Sequence, residues 1–109
     1  MNQYMQEFGP AFELGFCVDD FPFLVDKSWH QDSCPSFMFK THEGYAVLWV
    51  DYLSKDERKN SSAARYAVVT ASNLGSESEP EIYHDEHSFT LFTAEDSADL
   101  YAYLLELEL

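Results

Sequence analysis

The residues with the most evident chemical potential are His84, Asp85, Glu86 and His87, a run that reads H-x-x-H. Two imidazoles around two carboxylates could ligate a metal, with His30, His42, Cys17 or Cys34 supplying further donors. The spacing decides little in favour of that use. Residues three apart share a face on a helix and point to opposite faces on a strand, and this stretch reads as strand. Only a tight turn would bring both imidazoles to one point. No H-E-x-x-H and no C-x-x-C accompanies the run. The alternative is an exposed polar hairpin turn, and the expectation is that turn, with no metal and no cofactor.

Acid–base and nucleophilic chemistry are equally unmarked. A general acid needs a desolvated pocket and a raised pKa, which acidic residues scattered through a chain do not announce. Asp51 is the one acid inside an apolar strand, and pairing with Arg65 on a neighbouring strand is a better use for it than catalysis. Cys17 and Cys34 lack a catalytic neighbourhood and are too few for a disulfide framework, so both are expected as thiols in a cytoplasmic protein. There is no Gly-rich phosphate loop and no G-x-S-x-G. The opening MNQYMQEFGP has neither the basic nor the apolar region of a signal peptide. No apolar run approaches the roughly 18 residues of a membrane span. The expectation is a protein that is not an enzyme and does not engage a membrane.

Charge is the outlier. Twenty Asp and Glu face six Lys and Arg, a formal net charge of −14, whereas solubility asks for a magnitude of only about 2–8 in a small domain. Direct nucleic-acid binding is disfavoured, because no basic footprint exists to neutralise phosphates. Lys55, Arg58, Lys59 and Arg65 cluster, and no Lys or Arg follows Arg65. The remaining stretch holds Glu77, Glu79, Glu81, Asp85, Glu86, Glu95, Asp96, Asp99, Glu106 and Glu108. At 46% apolar and 17% aromatic, the chain nevertheless has the side chains for one real core.

The elements that must position these groups can be read from periodicity. Residues 1–109 form a single domain. Residues 12–18 alternate imperfectly and could be a strand, and 21–25, with Pro22, is an edge or irregular packed segment. Residues 36–40 read as a strand, 41–44 as a tight turn using Gly44, and 45–53 as a central strand covered on both faces. Residues 54–63 read as an exposed loop, 65–71 as a strand and 73–80 as a second loop. Residues 81–84 and 87–92 are two short strands, or one hairpin turning at Asp85 and Glu86. A helix over 93 to about 107 is capped by Thr93 with Asp96 three residues on, and Leu100, Tyr101, Leu104 and Leu105 share its apolar face. The fold class is α+β: an antiparallel meander of four to five strands with the C-terminal helix packed on one face. Phe37, Phe39, Trp49, Tyr66, Phe89 and Phe92 are assigned to the core, and Trp29, Tyr83, Tyr101 and Tyr103 are the candidates for exposed anchors.

In its small size, acidity, aromatic content and lack of catalytic motifs, and above all in the acidic residues between 77 and 108, the chain resembles phage- or plasmid-encoded inhibitors of defence systems, such as anti-CRISPR and anti-restriction nucleic-acid mimics. Immunity proteins that neutralise nuclease toxins share the same physics. No family motif is matched and no family residues are carried over. The resemblance implies a partner that is a basic nucleic-acid-binding protein or nuclease complex, whose nucleic-acid site the acids would block. Residues expected to contact it are Glu77, Glu79, Glu81, Asp85 and Glu86, with Tyr83 as the apolar anchor. The helix-start acids Glu95, Asp96 and Asp99 are secondary, because capping and dipole effects already account for them. The competing expectation is a housekeeping binding module whose acidity only keeps it soluble.

Overall fold

Phe37 and Phe39 alternate with Met38 and Lys40, and Ala46, Leu48 and Val50 alternate with Val47 and Trp49, so each strand presents a separate set of side chains to each face. The computed structural model describes residues 2–42, 44–76, 78, 79, 81–84 and 87–107. In it these segments join a six-stranded antiparallel sheet. β1 (Val25–Asp26), β2 (Ser36–Thr41), β3 (Gly44–Val50) and β4 (Tyr66–Asn73) follow one another as a meander. β5 (Ile82–Tyr83) and β6 (Thr90–Ala94) complete the sheet. The expected α+β class is therefore observed, with two-residue strands β1 and β5 raising the strand count.

β5 and β6 do not pair as a hairpin. β6 pairs with the first half of β4, from Tyr66↔Ala94 to Val69↔Thr90, and β5 pairs with its end through Ser72↔Tyr83 and Asn73↔Ile82. They lie end to end along one edge of β4. Asp85 and Glu86, the turn residues of the hairpin alternative, lie outside the described residues, as does Glu43 of the 41–44 turn.

The core sits on one face of the sheet. Phe37, Phe39, Ala46, Leu48, Val50, Tyr66 and Val68 project there and are buried. Two layers cover them. One is α2 (Ser97–Leu105), which inserts Leu100 and Leu104. The other is the N-terminal arm, carrying α1 (Gln3–Phe8), Tyr4, Leu14, Phe21 and Leu24. On the opposite face Val47 is also buried, but Tyr45 and Trp49 are half-buried and Trp49, assigned to the core, lines an open groove, so that side of β3 is only partly covered.

Several local expectations give way to tertiary contacts. Residues 12–18 are not a strand. Gly15 adopts φ +82, and the buried Tyr66 hydroxyl donates to the Leu14 carbonyl at 2.7 Å, which takes the arm out of extended geometry. The helix begins at Ser97 with Asp96 as its cap residue, and no side-chain hydrogen bond closes that cap. Thr93 cannot cap it, because Thr93 and Ala94 are paired in β6 with Ala67 and Tyr66. Tyr101 and Tyr103 are structural rather than exposed. The Tyr101 hydroxyl donates to Asp20 Oδ2 at 2.9 Å and accepts from the Cys17 N–H at 3.1 Å, while Tyr103 stacks on Phe92 with centroids 4.2 Å apart. Phe89, assigned to the core, is 60% exposed.

The 54–63 loop is not simply a solvated one. Arg58 is only 5% exposed and its guanidinium organises the segment. Nε donates to the Tyr52 carbonyl (2.7 Å), Nη1 to the Ala63 carbonyl (2.8 Å) and Nη2 to the Leu53 carbonyl (3.2 Å). The same two terminal nitrogens grip Glu95 as a fork, at 3.0 and 2.6 Å. Arg65 does not meet the Asp51 carboxylate as expected. It donates to the Glu13 carbonyl at 2.9 Å, while Asp51 and Arg65 are joined only through backbone and Asp51 Oδ1 accepts from the Tyr52 N–H. No helix among the described residues is long and apolar enough to cross a membrane.

Candidate functional site

Of the sequence-predicted loop acids, Glu79 and Glu81 are held by hydrogen bonds in the segment after β4. Asn73 Oδ1 accepts from the N–H groups of Gly75 and Glu81, both at 2.9 Å, and its amide donates to the Ser76 carbonyl at 3.1 Å. Leu74 N–H bonds the Glu81 carbonyl and Glu79 N–H bonds Ser76 Oγ. A Cβ at Gly75 would collide with the Glu79 carbonyl, so the tight crossing needs glycine. Glu79 and Glu81 are thereby exposed on a pinned backbone. Glu77, Asp85 and Glu86 lie outside the described residues, as does Glu108.

Beyond that loop, β5 places Glu81, Ile82, Tyr83 and His84 along one wall of an open groove of about 570 Å³. Lys27, Trp29 and Asp32 form the other wall, and Trp49 of β3 contributes to the lining. Trp29 is 47% exposed and Tyr83 56%, so two of the four candidates for exposed aromatic anchors are accessible, and the fold brings Trp29 to the same groove as Tyr83. Trp49 ties the walls together. Its Nε1–H donates to His84 Nε2 at 3.0 Å, and the Lys27 ammonium lies 5.4 Å from its ring centroid. His84 Nδ1 meets the Thr70 carbonyl at 3.1 Å, so the pair of contacts places the ring proton on Nδ1. Thr70 also bonds both backbone groups of Phe89, with its N–H to the Phe89 carbonyl and its Oγ1 to the Phe89 N–H, each 2.9 Å.

These contacts give His84 an architectural use in which both ring nitrogens are engaged. Among the described residues no three His, Cys, Asp or Glu side chains converge as metal ligands. Cys34 is buried, and burial, followed by the nearby Asp51 and Asp32 carboxylates, pushes its thiol up to about 12. It is no nucleophile near neutral pH.

The helix-start acids occupy a different place. Ala94, beside Glu95, pairs with the first residue of β4, and Tyr83 pairs near its last. At about 3.4 Å per residue the two acidic groups stand roughly 20 Å apart along the same sheet edge. Asp96 and Asp99 are exposed. Glu95 is committed to Arg58, whose hydrogen bonds hold its carboxyl below the ordinary carboxylate value. Asp32 and Lys27 were not anticipated for the groove. Their position either side of Trp29 in sequence is the only signal that could have suggested them.

Fold and groove together define a small α+β protein with an open aromatic groove whose charged lining is Asp32, Glu81 and Lys27. No protein-family model matches the chain, and no curated protein or solved structure matches it significantly.

Proposed function

We propose that this protein is a non-enzymatic inhibitor, of the anti-CRISPR or nucleic-acid-mimic kind, that binds a basic nucleic-acid-handling protein or complex in the cytoplasm and blocks its nucleic-acid site. The observation that carries this reading is the groove itself. Exposed Trp29 and Tyr83 share it with the carboxylates of Asp32 and Glu81, on a chain of net charge −14. Aromatic side chains of this kind anchor interfaces, while opposite charge around them steers association and rejects the wrong partners. The hydrogen bonds that Asn73 and Ser76 make to the backbone of Gly75, Glu79 and Glu81 lower the ordering cost of presenting those two acids. Exposed Asp96 and Asp99 add negative charge near the far end of the same sheet edge.

The test starts from a partner captured on the wild-type chain and identified. Trp29→Ala with Tyr83→Ala is expected to weaken that complex by a hundredfold or more, at about 1–2 kcal/mol per anchor or above, with circular dichroism unchanged. Glu81→Gln with Asp32→Asn is expected to slow association, with a loss that shrinks as salt rises. The partner's own nucleic acid is expected to compete. A ternary complex with no mutual weakening, or a complex indifferent to the groove variants, would overturn the proposal.

A further inference from the structure

A second concavity lies apart from the groove, between the N-terminal arm and the chain that leaves β3. It encloses about 430 Å³. Three aromatic rings join Ala11 and Leu53 in its apolar lining: Phe12 meets Tyr52 edge to face with centroids 4.9 Å apart, and Phe8 stands 6.1 Å from Phe12. Glu13 enters from one wall and Glu57 from the other. Both are exposed, and among the described residues no cation is ion-paired to either carboxylate.

Both walls are braced from behind by buried cations. Arg65 holds the Glu13 carbonyl, and Arg58 holds the carbonyls of Tyr52 and Leu53. The concavity is thus a preformed shape rather than a gap between mobile loops. Its chemistry is specific. The aromatic faces favour an apolar or cationic guest, and the two exposed carboxylates of the lining reject an anion and would be left desolvated without counter-charge by a purely apolar one. Tyr52 senses the same field: burial first, then the Glu57 carboxylate, raises its hydroxyl above the ordinary value.

We infer that this pocket receives an arginine side chain of the protein partner, its guanidinium laid against Phe12 and Tyr52 and hydrogen-bonded to Glu13 and Glu57. Arginine fits better than lysine because its group is planar, weakly hydrated and able to donate in two directions at once, whereas an ammonium keeps its water and points one way. The inference rests on the reading of a basic partner, and it is tested without one.

The full chain, isotope-labelled, is titrated with N-acetyl-arginine amide while the ring signals of Phe8, Phe12 and Tyr52 are followed by NMR. N-acetyl-lysine amide and tetramethylammonium chloride at matched ionic strength are the parallel arms. Saturable shifts confined to these rings are expected with arginine, with several-fold weaker binding of lysine. The Glu13→Gln, Glu57→Gln double variant, whose amide spectrum is expected to keep the native dispersion, should bind arginine about tenfold more weakly. Absence of saturable ring shifts, equal binding of arginine and lysine or tetramethylammonium, or unaltered binding by the double variant would each overturn the inference. Such a result would leave the Trp29–Tyr83 groove untouched, because that reading is decided by its own variants.

Discussion

Arg58→Met keeps an unbranched stem and deletes the guanidinium. The structure says what is lost: donors to the carbonyls of Tyr52, Leu53 and Ala63, and the fork to Glu95. A net hydrogen bond is worth about 0.5–1.5 kcal/mol, and water can reach carbonyls in a loop, so the three together come to about 2 kcal/mol. The ion pair is asymmetric. The Arg58 side chain is fully enclosed, while that of Glu95 is 44% exposed. Solvent therefore screens it, and about 1 kcal/mol is appropriate rather than the 3–5 kcal/mol for breaking an enclosed pair. The sum, about 3 kcal/mol, corresponds to a fall in Tm on the order of 10 °C for a domain of this size.

The pH dependence separates the two parts. Arg58 holds the Glu95 carboxyl below its ordinary 4.5. The pair's contribution is therefore present above that value and is lost as the pH falls through the lowered one. Urea unfolding followed by tryptophan fluorescence should show a gap between wild type and Arg58→Met that narrows by about 1 kcal/mol in acid and leaves the carbonyl part intact. Glu95→Gln should lose only the pH-dependent part. A variant that melts within about 2 °C of wild type, or a gap constant with pH, would refute the assignment of Arg58 as the organiser of this loop.

Three further outcomes follow from the packing and burial of single groups. Gly15→Ala places a Cβ against the Tyr66 hydroxyl at a backbone angle unsuited to alanine, and calorimetry should show a loss of about 2–4 kcal/mol, partly recovered when Tyr66→Phe is added; wild-type stability in the single variant would mean the arm is not seated on Tyr66. Iodoacetamide at about pH 8 should modify exposed Cys17 in the native chain and reach Cys34 only on unfolding, as read by peptide mass spectrometry, with equal modification counting against the burial of Cys34. The same thiol sets an alkaline limit. Its folded value is raised from 9.0 to about 12, so its contribution is complete below about pH 9 and is lost as the pH climbs toward about 12.

The β2–β3 hairpin is legible in the sequence because its information is local: period-two alternation on both strands and Gly44, at φ +142, as the first residue of β3 after the turn. The buried positions Leu100 and Leu104 are legible for the same reason at helical spacing. The beginning of α2 is not. Thr93 has the chemistry of a cap, and only the demand of β4 for a partner draws it into β6. Arg58 is a harder case. Nothing beside it marks a buried cation, since its acceptors come from residues 52, 53, 63 and 95, which only the folded chain assembles. The groove has the same origin: Trp29, Trp49 and Tyr83 belong to three separate segments that meet across the sheet.

That distinction bears on the acids themselves. Charge counting treats Glu81 and Glu95 alike, yet one is exposed beside two accessible aromatic anchors and the other is bound to a buried arginine. Neutralising Glu95 removes a stabilising contact along with a charge, so a loss of partner binding in that variant would report on folding as much as on recognition. Neutralising Glu81 or Asp32 touches no ion pair among the described residues. The acids of the groove are therefore the ones whose substitution can separate a functional charge from a structural one.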